Sequence, residues 1–266
     1  MFLLSSIVIV FLFLLCISMP LVSFILPVYK IKKMSTLGIK ERLIVNVIAM
    51  GILAYLDLMF LLLYVTFFLV IEGLYYYFKN FKNNIGIFDR IFITSIITTA
   101  IMGLYSYFIK DDIYSTMKML KAVYETKFGM SPTEIQRAFN ILKDYYIFTL
   151  FIYSGIATYF TYYILERNNY KNWEISYKWT ILYMIGFFVE KYIKSDIFYG
   201  TNILEIGKLI YIIFGIKVIY SMLNQRINLT GINKIVSVII GGTFPSLTFI
   251  LGAIKSFNIR IRIIRK

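Results

Sequence analysis

The chain has 266 residues, 59% of them apolar, 18% aromatic and only 16% charged, with a formal net charge of +14 and a mean hydropathy of +0.75. Ordinary globular chains carry about 25% charged residues, so this composition excludes disordered, collagenous and water-soluble enzyme classes and leaves a polytopic membrane protein. His is absent and Cys16 is the single cysteine, which excludes imidazole-based triads, His-ligated zinc or haem, Cys-rich metal sites and an internal disulfide.

A crossing takes about 20 apolar helical residues. The first run, 2–29, contains Pro20 and Pro27, so it is expected as one kinked span or as a crossing plus a half-helix. No Lys or Arg precedes Lys30, so the positive start of a cleaved signal peptide is missing and the segment is expected to be retained. A basic loop, 30–42, follows. The next run, 43–78, is too long for one comfortable span, and Asp57 near its middle marks a turn between two helices. Glu72 lies on the second of them.

After a loop at 79–90, a span is expected at 91–109. The stretch 110–144 reads as an extramembrane helical hairpin. Met117, Leu120, Tyr124 and Phe128 recur at helical spacing and Gly129 stops the helix. Ser131-Pro132-Thr133-Glu134 opens the second helix as a capping box with Pro at its first position. Further spans are expected at 145–165, 205–223 and 235–254, with Gly241, Gly242 and Pro245 as a candidate break in the last.

The distribution of Lys and Arg sets orientation. With 176–193 lying on the membrane surface, the two sides hold 18 and 8 basic residues; with 176–193 crossing, they hold 13 each. The expected fold is therefore all-α: a single integral membrane domain over 1–266, a transmembrane bundle of about seven to eight spans. The 110–144 hairpin then lies on the outer face.

Ionisable groups within hydrocarbon are expensive and are candidate sites by default. Glu72 is expected to face the bundle interior, either as a packing contact or as a site. Lys208 is three residues from Glu205, which lets the two pair on one helix face. Lys217 either snorkels toward the headgroups or meets an anionic ligand group or Glu72. Asp57 serves either a turn or a ligand. Together Glu72, Lys217, Lys208, Glu205 and Asp57 form the candidate ligand-binding set. The clusters Tyr75-Tyr76-Tyr77 and Tyr162-Tyr163 read as aromatic belts. In the tail 255–266, Arg260, Arg262 and Arg265 alternate with apolar residues and are expected to contact anionic lipid. No Gly-rich phosphate loop, acid–base carboxylate pair or intramembrane-protease motif occurs, so neither an enzyme, a cofactor nor a nucleic-acid partner is expected.

Leu26-Pro27-Val28-Tyr29, Leu37-Gly38-Ile39-Lys40, the long outer helical loop and the ending Leu251-Gly252-Ala253 with Asn258-Ile259-Arg260 resemble the YybS-like family of polytopic bacterial membrane proteins. The chain departs from that family's pattern at Lys255 and Asn258, where the family favours acidic residues. The family is similar to the substrate-binding S components of energy-coupling-factor transporters. The resemblance implies a comparable bundle in a bacterial cytoplasmic membrane and carries over no ligand or site residue. The function expected is binding or transport of a small solute. The alternative is a membrane scaffold whose basic loops recruit a membrane or cytoplasmic protein or anionic lipid.

Overall fold

The computed structural model describes residues 2–33, 36–193, 197–226 and 229–257. These residues are almost entirely helical, with no strand among them. By length and composition, four helical stretches are fit to cross a membrane: Leu58–Phe81, Ile87–Phe108, Tyr146–Glu166 and Phe198–Arg226. A fifth is formed if Thr230–Thr243 and Pro245–Ser256, bent by 110° at their junction, count as one span. The remaining expected crossings fall short for local reasons. Helix α1 (Phe2–Ser18) has 17 residues, and α3 (Ile39–Leu56) spends its first turn on Lys40, Glu41 and Arg42. Many apolar side chains stay exposed, including Leu3, Leu4, Ile7 and Phe11 on α1 and Ile235, Val238 and Ile239 on the helix Thr230–Thr243. Such bare apolar surface suits hydrocarbon as the solvent.

The chain forms two compact units, Met1–Ile85 with Arg90–Tyr170, and Gly86–Asp89 with Lys171–Lys266. In the first, α1 ends ahead of Pro20, and a short 3₁₀ turn, Pro20–Val22, leads into α2 (Ile25–Lys33). Pro27 is tolerated because it falls within the first turn of α2, whose N–H groups have no helical partner. After α3, Asp57 adopts an extended backbone and its carboxylate accepts from Met59 N at 2.8 Å, which ends one helix and caps the next. Helix α4 (Leu58–Leu63), a π-helical turn (Tyr64–Leu69) and α5 (Val70–Phe81) then run on as one rod. The rod folds back on α3: Tyr64 Oη donates to Asn46 Oδ1 at 3.0 Å, and Arg42 Nη1 donates to Tyr76 Oη at 3.3 Å. In a continuous helix, Arg42 and Tyr76 would stand about 50 Å apart. The core lies between these elements. Phe13 of α1 sits edge-on to Phe60, Tyr64 and Phe68, within a cluster that includes Ile9, Leu26, Val45, Ala49 and Leu53.

Helix α6 (Ile87–Phe108) leads to α7 (Lys110–Phe128), which Gly129 ends at φ 62°, in the left-handed region that glycine enters without strain. Helix α8 (Pro132–Asp144) starts from the expected capping box: Ser131 Oγ accepts from Glu134 N at 3.3 Å, and Ser131 N donates to Glu134 Oε2 at 3.1 Å. The two helices meet where Lys121 Nζ donates to Gln136 Oε1 at 2.8 Å. The bonds from the Ser131 hydroxyl, and then from its N–H, hold the Glu134 carboxyl below its ordinary value. A depressed folded-state pKa makes this cap's contribution fully present at neutral pH, and the contribution is lost as pH falls through that depressed value. Ser131→Ala is expected to cost about 1 kcal/mol of local helix stability, read as faster amide exchange in 131–136 with the spans unaffected. Helix α9 (Tyr146–Glu166) completes the first unit with a short 3₁₀ segment, Arg167–Asn172, which runs into the second.

The second unit is built on α11 (Ile197–Arg226), with α10 (Trp179–Tyr192), α12 (Thr230–Thr243) and α13 (Pro245–Ser256) around it. Glycines set the spacing. Gly186 abuts Leu204, Gly200 abuts Glu190 and Gly207 abuts Tyr183. Each step up α11 is matched by a step down α10, so the two lie antiparallel and in close contact. The expected break in the last hydrophobic run falls at Phe244, just ahead of Pro245, which occupies the first position of α13.

Candidate functional site

Glu72 does face the interior of its unit, and its partner is Lys30. Lys30 is fully buried on α2, and its Nζ lies 2.5 Å from Glu72 Oε2. The same ammonium donates to Tyr64 Oη at 2.8 Å and stands 4.8 Å from the Tyr64 ring centroid. Tyr64 Oη donates its own hydrogen bond to Asn46 Oδ1, and Asn46 Nδ2 in turn donates to Arg42 O at 3.1 Å. Four elements thus converge on one buried polar cluster: α2, α3, the π-helical turn and α5. Glu72 is nine residues from the end of its rod at Phe81, or about 13 Å. Burying the pair removes both charges from water, a cost their attraction offsets only when the remaining hydrogen-bonding groups are also satisfied. Tyr64 and Asn46 extend the network on the Lys30 side, while the Glu72 carboxylate has Lys30 as its one polar contact among the described residues. The π-helical turn at Tyr64 is a device that recurs at functional sites.

The other candidate residues have separate partners. Lys217 donates to the carbonyls of Trp173 at 2.5 Å and Lys171 at 3.1 Å. It therefore closes the end of the 3₁₀ segment inside its own unit. Lys208 and Glu205 form the expected pair on α11 at 2.6 Å, and both side chains are about a third exposed, so the pair adds at most about 1 kcal/mol. Asp57 is an exposed cap. Arg260, Arg262 and Arg265, the expected lipid contacts, lie outside the described residues.

Sequence reasoning missed two groups. It counted Lys30 in the basic loop, although Leu26 and Lys30 are one turn apart on α2 and both are buried. It also passed over Asp89, whose Oδ1 accepts from Ser176 N at 2.9 Å and from Trp179 Nε1 at 2.8 Å. That single oxygen fastens the segment before α10 to the first turn of α6. Asp89→Ala is expected to strand both donors at about 1–3 kcal/mol, with a shifted tryptophan emission as the readout. An unchanged spectrum and melting temperature would remove Asp89 from this role.

Comparison with protein-family models, curated proteins and solved structures finds no match in any of the three.

Proposed function

We propose that the chain is a non-enzymatic, multi-pass protein of a bacterial cytoplasmic membrane that binds a small polar solute in its first unit, at the Lys30–Glu72–Tyr64 cluster. The observation that carries this reading is a fully buried ammonium beside a carboxylate and a phenol, deep within apolar helices and next to a π-helical turn. One cation and one anion side by side suit a solute that exchanges for the pair's mutual contact, carboxylate to Lys30 and ammonium or hydroxyl to Glu72. An S-component-like bundle and membership of the YybS-like family belong to the same proposal.

The topology we infer has α10 crossing alongside α11, because a helix antiparallel to a span does not lie flat in the interface. Helices α12 and α13 then form a re-entrant pair bent at Phe244. Counted this way, the basic residues again divide 18 against 8, with the 110–144 helices on the poorer, outer side.

Native mass spectrometry of gently extracted protein tests the solute site. A reproducible small-molecule adduct, absent from Glu72→Gln and Lys30→Met, supports it. Repeated absence of any adduct from the folded wild type sinks it and favours the scaffold, whose basic loops recruit a partner or anionic lipid.

A further inference from the structure

Helix α11 carries an ion pair at a depth where its open side is poorly matched to lipid. The stretch fit to cross, Phe198–Arg226, centres on Ile212. Glu205 and Lys208 precede that centre by about 10 and 6 Å along the axis, and half of a hydrocarbon core measures about 15 Å. The pair closes at 2.6 Å and leaves about a third of each side chain open. Such a pair is worth little where its open side faces water; here that side lies within the hydrocarbon. Charged groups at this depth face protein or enclosed water rather than acyl chains, and either one requires a second wall opposite α11.

The order of residues around the helix indicates what that wall is. At 3.6 residues per turn, Glu205 and Lys208 stand about 60° apart, and Thr201 and Ile212 fall between them. Thr201 is occupied, since its hydroxyl donates to Glu190 Oε1 of α10 at 3.1 Å, and Ile212 is half-buried. The face therefore has an uncharged midline, an anion on one flank and a cation on the other. Two copies of a chain inserted in the same orientation are related by a two-fold axis along the membrane normal. About that axis, the Glu205 flank of one copy stands beside the Lys208 flank of the other, on both sides of the midline at once, and like charges are kept on opposite sides. The two levels differ by about 4.5 Å along the helix, which a lysine side chain spans. Parallel coiled coils pair their flanking charges in the same way. The face is complementary to itself.

We infer that the chain forms a parallel two-fold dimer through this face of α11, in which Glu205 of each copy meets Lys208 of the other and the four charges close into one ring. The polar groups then hold two membrane helices together. This interface lies in the second unit and stands or falls separately from the Lys30–Glu72 site.

Native mass spectrometry of the full chain in mild detergent is expected to show twice the monomer mass. Glu205→Lys and Lys208→Glu, each alone, place like charges on both flanks, and each is expected to lower the dimer fraction several-fold. Mixed together, the two single variants are expected to pair with each other, and the exchanged double variant, Glu205→Lys with Lys208→Glu, to pair with itself. A simple loss of fold would not be restored by mixing. In a Cys16→Ser background, Ile212→Cys on the midline is expected to cross-link several-fold more than Ile239→Cys, which is exposed on α12. The cross-link changes no charge, so it decides the matter if a reversal variant fails to fold. A monomeric wild type overturns the inference, as do a dimer that both reversals leave intact and equal cross-linking at the two positions.

Discussion

Lys30→Met and Glu72→Gln, each alone, are expected to lower stability by about 3–5 kcal/mol, while Lys30→Met combined with Glu72→Met returns close to wild type. Either single change leaves one group buried with its partner gone. The surroundings offer no relief to Lys30, which is fully buried and already spends a second bond on Tyr64. The double change removes both desolvation costs and fills a similar volume with apolar atoms. Thermal unfolding in detergent reads all three variants. Singles that melt with the wild type would mean that the ion pair contributes nothing to the fold. The double variant also separates architecture from function. If it folds and still carries the solute adduct, the pair is only a packing device; if it folds and has lost the adduct, the pair is part of the site. Tyr64→Phe is the milder probe, expected to cost about 1 kcal/mol by stranding the Asn46 oxygen and one ammonium proton.

What the sequence revealed was whatever short-range chemistry determines. The capping box at Ser131, the stop at Gly129, the turn at Asp57, the Lys208–Glu205 pair and the break ahead of Pro245 each depend on residues within a few positions of one another, and each has its expected local form. The central pair was hidden because its members are 42 residues apart. Nothing local distinguishes Lys30 from the other lysines at the end of the first apolar run; its burial is decided by α3 and α5 closing over it. The partners of Lys217 were illegible for a related reason: they are backbone carbonyls, which every residue carries. Charge counting reached its limit at 176–193. A surface helix followed by a full last span divides the basic residues as evenly as a crossing helix followed by a re-entrant pair, so the same 18 against 8 fits both. The proposed crossing of α10 rests instead on its glycine contacts with α11.

Gly215→Ala and Gly252→Ala are expected to be the most damaging small substitutions in the second unit. A methyl group on Gly252 would run into the Tyr211 carbonyl oxygen and crowd Gly215 N, and one on Gly215 would run into the Thr248 carbonyl oxygen. The obstructing atoms are backbone, which no rotamer change can move aside, so α11 and α13 must separate along their length. Between membrane helices, close approach over small residues is what yields the packing energy, because lipid offers apolar side chains nearly the same environment as protein. Overpacking of this kind costs about 1–3 kcal/mol or more, against which alanine's better helix propensity returns at most about 1 kcal/mol. Gly73→Ala supplies the matched control: it is also mid-helix, but its added methyl meets nothing within 4 Å, so only the propensity term remains and the melting temperature is expected to hold or rise. A cysteine pair introduced across α11 and α13 would report the separation directly, cross-linking in the wild-type background and failing in either glycine variant. If Gly252→Ala melts with Gly73→Ala and the cross-link persists, the two helices are not in the contact described, and the bend at Phe244 that brings α13 onto α11 loses its main support.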